Sequence, residues 1–359
     1  MYPKLRKPLL VVADNTRAAA MQMPAACQPG GVAAELRKLV MGQDEALEGI
    51  LPYVDTYRAG LAPEGRPAGV FLLLGPTGTG KTKTVESLAQ ALHGDPKCLV
   101  KVNCGEFQMD HEVAKLIGAP PGYLGHRETQ PMLTQSRLVS ATSARSNLAL
   151  VLFDEVEKAA PSLVRLLLGV LDKGVLRLGD GSSVNFERSL IFFTSNLGAR
   201  NMQQLLRPRF TLVRQEASSA PSPAKLKDVA EQAARRHFSP EFMNRIDGIF
   251  TFQPLSRRTL AQILDNMIAE IQSLLDVRMP SRELRLDVRP SARRLLLEKG
   301  TSPEYGAREL KRALFRLLLH PLAALLAHRT VEAGSAIIVQ AARGGARLAF
   351  RLKPCRPAA

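Results

Sequence analysis

Residues 75 to 82 read Gly75-Pro76-Thr77-Gly78-Thr79-Gly80-Lys81-Thr82, which has the G-x-x-x-x-G-K-[ST] spacing of a phosphate-binding loop. Glycines at this spacing let the backbone curl until its N–H groups point inward at an anion, and a helix beginning after them adds partial positive charge. An ammonium at Lys81 is then placed to reach the β and γ phosphates of a nucleoside triphosphate, and the Thr82 hydroxyl to ligate Mg2+. Hydrolysis needs more than binding. Two carboxylates, Asp154 and Glu155, close the apolar run Leu148-Ala149-Leu150-Val151-Leu152-Phe153. An acid at the C-terminal end of a parallel strand beside a phosphate loop holds the Mg2+ shell, which is the role of Asp154, and the next carboxylate, Glu155, orients or deprotonates the attacking water. Taken alone, an acidic strand terminus is ordinary; the phosphate loop upstream is what gives this one chemical meaning. A third run, Ser189-Leu190-Ile191-Phe192-Phe193-Thr194, ends in Ser195-Asn196 and brings an amide to the same sheet edge, where Asn196 is a candidate for hydrogen bonding the water or the γ-phosphate. Ser-Asn is also a common helix start.

Such groups converge only if strands and helices alternate. Val70-Phe71-Leu72-Leu73-Leu74 is a continuous apolar run suited to a strand buried on both faces, and Val85, Leu88, Ala89 and Leu92 follow the loop at helical spacing. Further strands are expected near Leu99 to Val102, Leu148 to Phe153, Ser189 to Thr194 and Ile249 to Phe252, a βαβ rhythm that predicts an α/β fold with a parallel sheet flanked by helices. Residues 206–230 are polar and contain Pro208, Pro221 and Pro223, so a long surface excursion is expected there. After Pro254 the pattern turns helical. Ser256 caps a stripe of Leu260, Ile263, Leu264, Met267, Ile268, Ile271 and Leu275, and a second stripe runs from Arg308 through Leu310, Leu314, Leu317 and Leu318 until Pro321 kinks or ends it. Two alternating segments, Ala336 to Val339 and Arg347 to Arg351, are expected to add a short β-element. The division is therefore an arm over residues 1–30 without sustained periodicity, a nucleotide-binding core over 31–254 and a small helical lid over 255–359.

Five further segments carry a family resemblance. Gly118-Ala119-Pro120-Pro121-Gly122-Tyr123-Leu124-Gly125, Phe153-Asp154-Glu155-Val156-Glu157-Lys158-Ala159, Thr194-Ser195-Asn196-Leu197-Gly198, Phe238-Ser239-Pro240-Glu241-Phe242-Met243-Asn244-Arg245-Ile246-Asp247 and Tyr305-Gly306-Ala307-Arg308-Glu309-Leu310-Lys311-Arg312 resemble, in order, motifs of the Clp class of AAA+ ATPases. The resemblance is strongest to the second ATPase module of ClpB and ClpA and runs from about Val32 to the C-terminal strands. It implies a P-loop AAA+ core, with Val40 and Met41 packing against adenine. It further implies that Arg308 senses the γ-phosphate within its own subunit, that Arg245 is a finger inserted into the neighbouring subunit's site of a hexamer, and that Gly122, Tyr123, Leu124 and Gly125 form a loop lining a central pore. Tyr123 is then the grip on an unfolded polypeptide. His126-Arg127-Glu128 departs from the family's usual aromatic and acidic residues, which points to a different substrate preference. No Ile-Gly-Phe or Ile-Gly-Leu tripeptide lies between Asn196 and Phe238, so a Clp peptidase ring is not an expected partner. The sequence also shows no counterpart of the N-terminal domain, first ATPase module or coiled-coil middle domain of ClpB; a lone motor is expected.

Composition bounds the alternatives. No apolar stretch is long enough to span a bilayer, and Leu9 to Ala13 is too short for a signal peptide, so a cytoplasmic protein is expected. Four cysteines, Cys27, Cys98, Cys104 and Cys355, lack ligand or redox spacing. The net charge of +16 raises nucleic acid as a partner, but Arg293, Arg294, Arg312 and Arg316 sit opposite apolar helix faces, with no basic tract interleaved with aromatics. An ATP-driven motor that threads unfolded or aggregated protein is therefore the leading reading. A nucleic-acid motor and a nonthreading assembly switch, its partners held by residues 1–30, are the alternatives.

Overall fold

A computed structural model describes residues 31–118, 131–206, 222–302, 306–328, 331–342, 344 and 347–353. Strands β1 (Gly69–Leu74), β2 (Val100–Asn103), β3 (Ala149–Asp154), β4 (Val175–Arg177), β5 (Ser183–Asn185), β6 (Ser189–Ser195), β7 (Gly248–Thr251), β8 (Arg285–Val288), β9 (Ala336–Ala341) and β10 (Leu348–Lys353) form three sheets. The largest has the order β2-β3-β6-β1-β7 and is parallel throughout. Its three inner strands are the three apolar runs of the sequence. Every residue of β1 and β6 is buried, as is all of β3 except Asp154, because a parallel strand covered by helices on both faces has no solvent side.

Alternation along these strands sends side chains into two separate cores. Val70, Leu72 and Leu74 pack with Val151, Phe153, Ile191 and Phe193 on one face; Phe71 and Leu73 pack with Leu150, Leu152, Leu190 and Phe192 on the other. Ring contacts tie neighbouring strands, with Phe153 stacked on Phe193 at 5.3 Å between centroids and Phe71 tilted against Phe192 at 5.2 Å. Each such side chain contributes about 1.5–3 kcal/mol by leaving water, which fixes the register that brings the strand ends together.

A third apolar cluster is built after Pro254. The helix Arg257–Arg278 starts where the Ser256 hydroxyl accepts from the Thr259 N–H at 3.0 Å, and buries Leu260, Leu264, Ile268 and Ile271. These meet Leu296, Leu310, Leu314 and Leu318 and the inward residues Ile337 and Val339 of the sheet β10-β9-β8.

Three expectations are corrected or narrowed. The segment 222–230 is not surface excursion: it is the first part of the helix Pro223–His237, nucleated by the Ser222 side chain and by Pro223 in its first turn, where no N–H is needed. Residues 207–221 lie outside the described set. Of the two outcomes expected at Pro321, the end is excluded, because the helix His320–His328 runs through it. A five-residue π turn, Phe315–Leu319, intervenes between Ala307–Leu314 and His320–His328, an irregularity of the kind that accompanies kinks. The C-terminal β-element also has a third strand, β8, which pairs parallel to β9.

Candidate nucleotide site

The phosphate loop joins β1 to the helix Lys81–His93, and Gly75, Gly78 and Gly80 all carry positive φ. At Gly75 no other residue fits, since a Cβ there would lie 2.5 Å from the Phe252 carbonyl oxygen. Lys81 is buried beneath the loop. Its ammonium donates to the carbonyls of Gly75 at 2.6 Å and Pro76 at 2.9 Å, and to Asn196 Oδ1 at 3.0 Å. Burial pulls the Lys81 pKa down to about 8 despite the nearby carboxylates of Glu157, Asp154 and Glu155, and the Arg308 charge adds to the depression.

At the ends of β3 and β6 the polar groups interlock. Asp154 accepts from the Thr194 hydroxyl, faces Thr82 Oγ1 at 3.4 and 3.5 Å, and pairs with Lys101 of β2 at 3.4 Å. The donor set of hydroxyl and carboxylate is one of hard oxygens. Such oxygens at Thr82 and Asp154 would suit a hard divalent cation such as Mg2+. The Glu155 backbone stands in the left-handed region at φ 59°, its N–H donating to Thr194 Oγ1 at 3.0 Å, and its carboxylate meets the Lys158 ammonium at 2.5 Å. Asn196 is fixed from behind, its N–H donating to Glu157 Oε1 at 3.1 Å. Cys104 lies under this cluster. Burial, then the charges of Asp154, Glu157 and Glu155, push its thiol up to about 12, so it is an inert filler.

The loop opens on a cleft of about 630 Å³ between the sheet edge and the helices after Pro254, with Val40, Met41, Ile263 and Met267 on its apolar walls and Arg308 at its rim. Two contacts set the roof against the loop. The Ala307 N–H donates to the Gly78 carbonyl at 3.0 Å, and Gly306 stands so close that a Cβ would lie 2.7 Å from the same oxygen. From the other side the Gln43 amide donates to the carbonyls of Thr79 at 3.1 Å and Gln253 at 3.0 Å.

Thr77 to Thr82, Asp154, Glu155, Asn196, Val40, Met41 and Arg308 thus share one cleft, whose lining does not extend to Gly75 and Pro76. Arg245 is elsewhere, bound at the surface to Asp172 at 2.5 Å and to the Glu241 carbonyl at 3.0 Å. Gly122, Tyr123, Leu124 and Gly125 lie outside the described residues. Sequence reasoning missed Thr194, Lys101, Lys158 and Gln43 as site residues. Lys101 acquires its place only through the pairing of β2 with β3, while Lys158 stood in plain view three residues after Glu155.

The cleft's two walls correspond to separate family models. The description "AAA domain (Cdc48 subfamily)" matches residues 66–249, and "C-terminal, D2-small domain, of ClpB protein" matches residues 255–339. Chaperone protein ClpB of Agrobacterium fabrum is 37% identical over 322 residues, covering 90% of this chain and 34% of the relative. The ClpB of Pseudomonas putida is 39% identical over 302 residues, covering 84% and 32%. The chain therefore spans about a third of the length of the curated relatives it matches. Among solved structures, a closed-state cryo-EM reconstruction of Hsp104 with ATPγS and FITC-casein superposes with a TM-score of 0.72 at 28% identity, covering 89% of this chain and 51% of that one.

Proposed function

This chain belongs to the AAA family of ATPases as a relative of the second ATPase module of ClpB, and from that premise we propose that it is an ATP-driven motor that remodels unfolded or aggregated protein. The observation that carries the proposal is the single cleft in which Lys81, Thr82, Asp154, Glu155 and Asn196 converge under a roof bearing Arg308. Val40 and Met41 cradle the base there, Lys81 and the loop amides hold the phosphates, and Thr82 with Asp154 hold Mg2+. When bound, the ion screens charge on the phosphates. Glu155 takes a proton from water as its oxygen bonds to the γ-phosphorus; the bond to the bridging oxygen breaks with its electron pair on ADP, leaving inorganic phosphate. Asn196 and Arg308 contact the γ-phosphate, and Arg245 reaches the site of the next subunit in a ring, a hexamer by analogy with its family. Tyr123, flanked by Gly122, Leu124 and Gly125, grips polypeptide in the pore. A cytoplasmic setting and action without a peptidase ring complete the reading. Support for a protein substrate comes from the names of its relatives, chaperones in one case and a casein complex in the other.

Glu155→Gln tests the site. The variant is expected to bind ATP with Mg2+ and to turn over at least about a hundredfold more slowly, as when a positioned base is lost. Turnover at the wild-type rate removes Glu155 from this role.

A further inference from the structure

We propose that Lys158 is a positioning residue for hydrolysis, holding the Glu155 carboxylate by one oxygen so that the other faces the attacking water. The proposal rests on the reading of Glu155 as the water-activating carboxylate. The geometry is local and specific. Glu155 occupies the left-handed region, and the chain then makes a single 3-10 turn, Val156–Lys158, closed by the Lys158 N–H donating to the Glu155 carbonyl at 2.9 Å. The turn brings Lys158 back alongside Glu155, where Nζ meets Oε2 at 2.5 Å. The pair is roofed by the turn after β2, where a Cβ on Gly105 would lie 3.7 Å from Lys158 Cδ and 3.8 Å from Glu155 Oε2.

Neighbouring charges explain why a lysine is needed there. Three carboxylates, Asp154, Glu155 and Glu157, crowd one strand end, and each has its own partner: Lys101 for Asp154, the Asn196 N–H for Glu157 and Lys158 for Glu155. Lys81, the buried cation among them, is committed to the loop carbonyls and Asn196. Without Lys158 the Glu155 side chain would be pushed by two like charges and free to swing toward Lys81, the group meant for phosphate. An exposed ion pair contributes little to stability, so its removal should register in chemistry more than in folding.

The test compares Lys158→Met, which keeps length and loses charge, with Lys158→Arg and with Glu155→Gln, in steady-state ATP turnover and thermal melting. Lys158→Met should lower kcat at least about tenfold with KM within about twofold and an unchanged melting temperature, because a misplaced base loses transition-state and not ground-state interactions. Lys158→Arg should recover kcat to within about threefold of wild type. The proposal is overturned by Lys158→Met turning over as fast as wild type, by a loss carried in KM or melting, or by arginine failing to rescue. A slow Glu155→Gln beside an unaffected Lys158→Met would sink this proposal alone; a wild-type Glu155→Gln would sink the reading beneath it.

Discussion

At the scale of single residues, Lys81 shows how burial prepares a cation for its ligand. The ammonium is desolvated by burial and donates to two loop carbonyls and an amide oxygen, and its pKa sits at about 8 against an ordinary 10.5. A bound polyphosphate favours the charged form and lifts that value. Below about pH 8 the lysine is protonated in both states, so affinity is indifferent to pH through this group. Above it the free site has lost a proton that the complex keeps, so ATP binding takes up a proton and weakens as pH rises beyond about 8. Titration calorimetry at pH 8.5 in two buffers of different ionisation enthalpy should report this uptake; identical apparent enthalpies in both would refute the assignment. The sequence disclosed Lys81, Thr82, Asp154, Glu155 and Asn196 because their spacing against apolar runs is itself the motif. It did not disclose Thr194 or Lys101, whose roles arise from strand pairing: Thr194 reaches Asp154 because β3 lies beside β6, and Lys101 because β2 lies beside β3.

At the scale of elements, legibility followed apolar patterning more than length. β1, β3 and β6 stood out as unbroken apolar runs, and the four-residue β2 and β7 were also expected. β8, Arg285–Val288, carries two charges in four residues with Arg285 exposed, and the strands Val175–Arg177 and Ser183–Asn185 are three residues each, so none of these has an apolar run to be read. At Pro321 the proline rule left a kink and an end both open, and it could not anticipate the π turn just before that residue. The junction between Gly306 and the phosphate loop gives a prediction at this scale. Gly306 has φ 49° and no room for a Cβ against the Gly78 carbonyl, whereas Gly169, inside the helix Pro161–Lys173, has open space around it. Gly306→Ala should destabilise by about 1–3 kcal/mol and weaken ATP binding, since it must push the roof off the loop. Gly169→Ala should stabilise by up to about 1 kcal/mol without touching nucleotide affinity. Chemical denaturation with nucleotide titration separates them, and an unaltered affinity in Gly306→Ala would show that this contact does not couple roof to loop.

At the scale of the whole molecule, the cleft holds every proposed catalytic group except Arg245, which is pinned by Asp172 at the surface. The proposal of a shared site follows from that separation together with the family. Arg245→Ala subunits keep their phosphate loop and Lys81→Ala subunits keep their finger, so each should be inactive alone while mixtures regain part of the turnover at hybrid interfaces; silent mixtures that demonstrably co-assemble would count against sharing. No described helix is long and apolar enough to cross a membrane. The central claim, that ATP turnover is spent on moving polypeptide, is tested most directly at Tyr123. The measurement is the ATP-dependent loss of fluorescence from a tagged fluorescent protein, followed alongside phosphate release. Wild type should unfold it, whereas Tyr123→Ala should hydrolyse ATP within about threefold of wild type, a barrier change under about 1 kcal/mol, and leave the fluorescence intact. Unfolding by Tyr123→Ala at the wild-type rate, or no ATP-dependent unfolding by the wild type, would contradict the account.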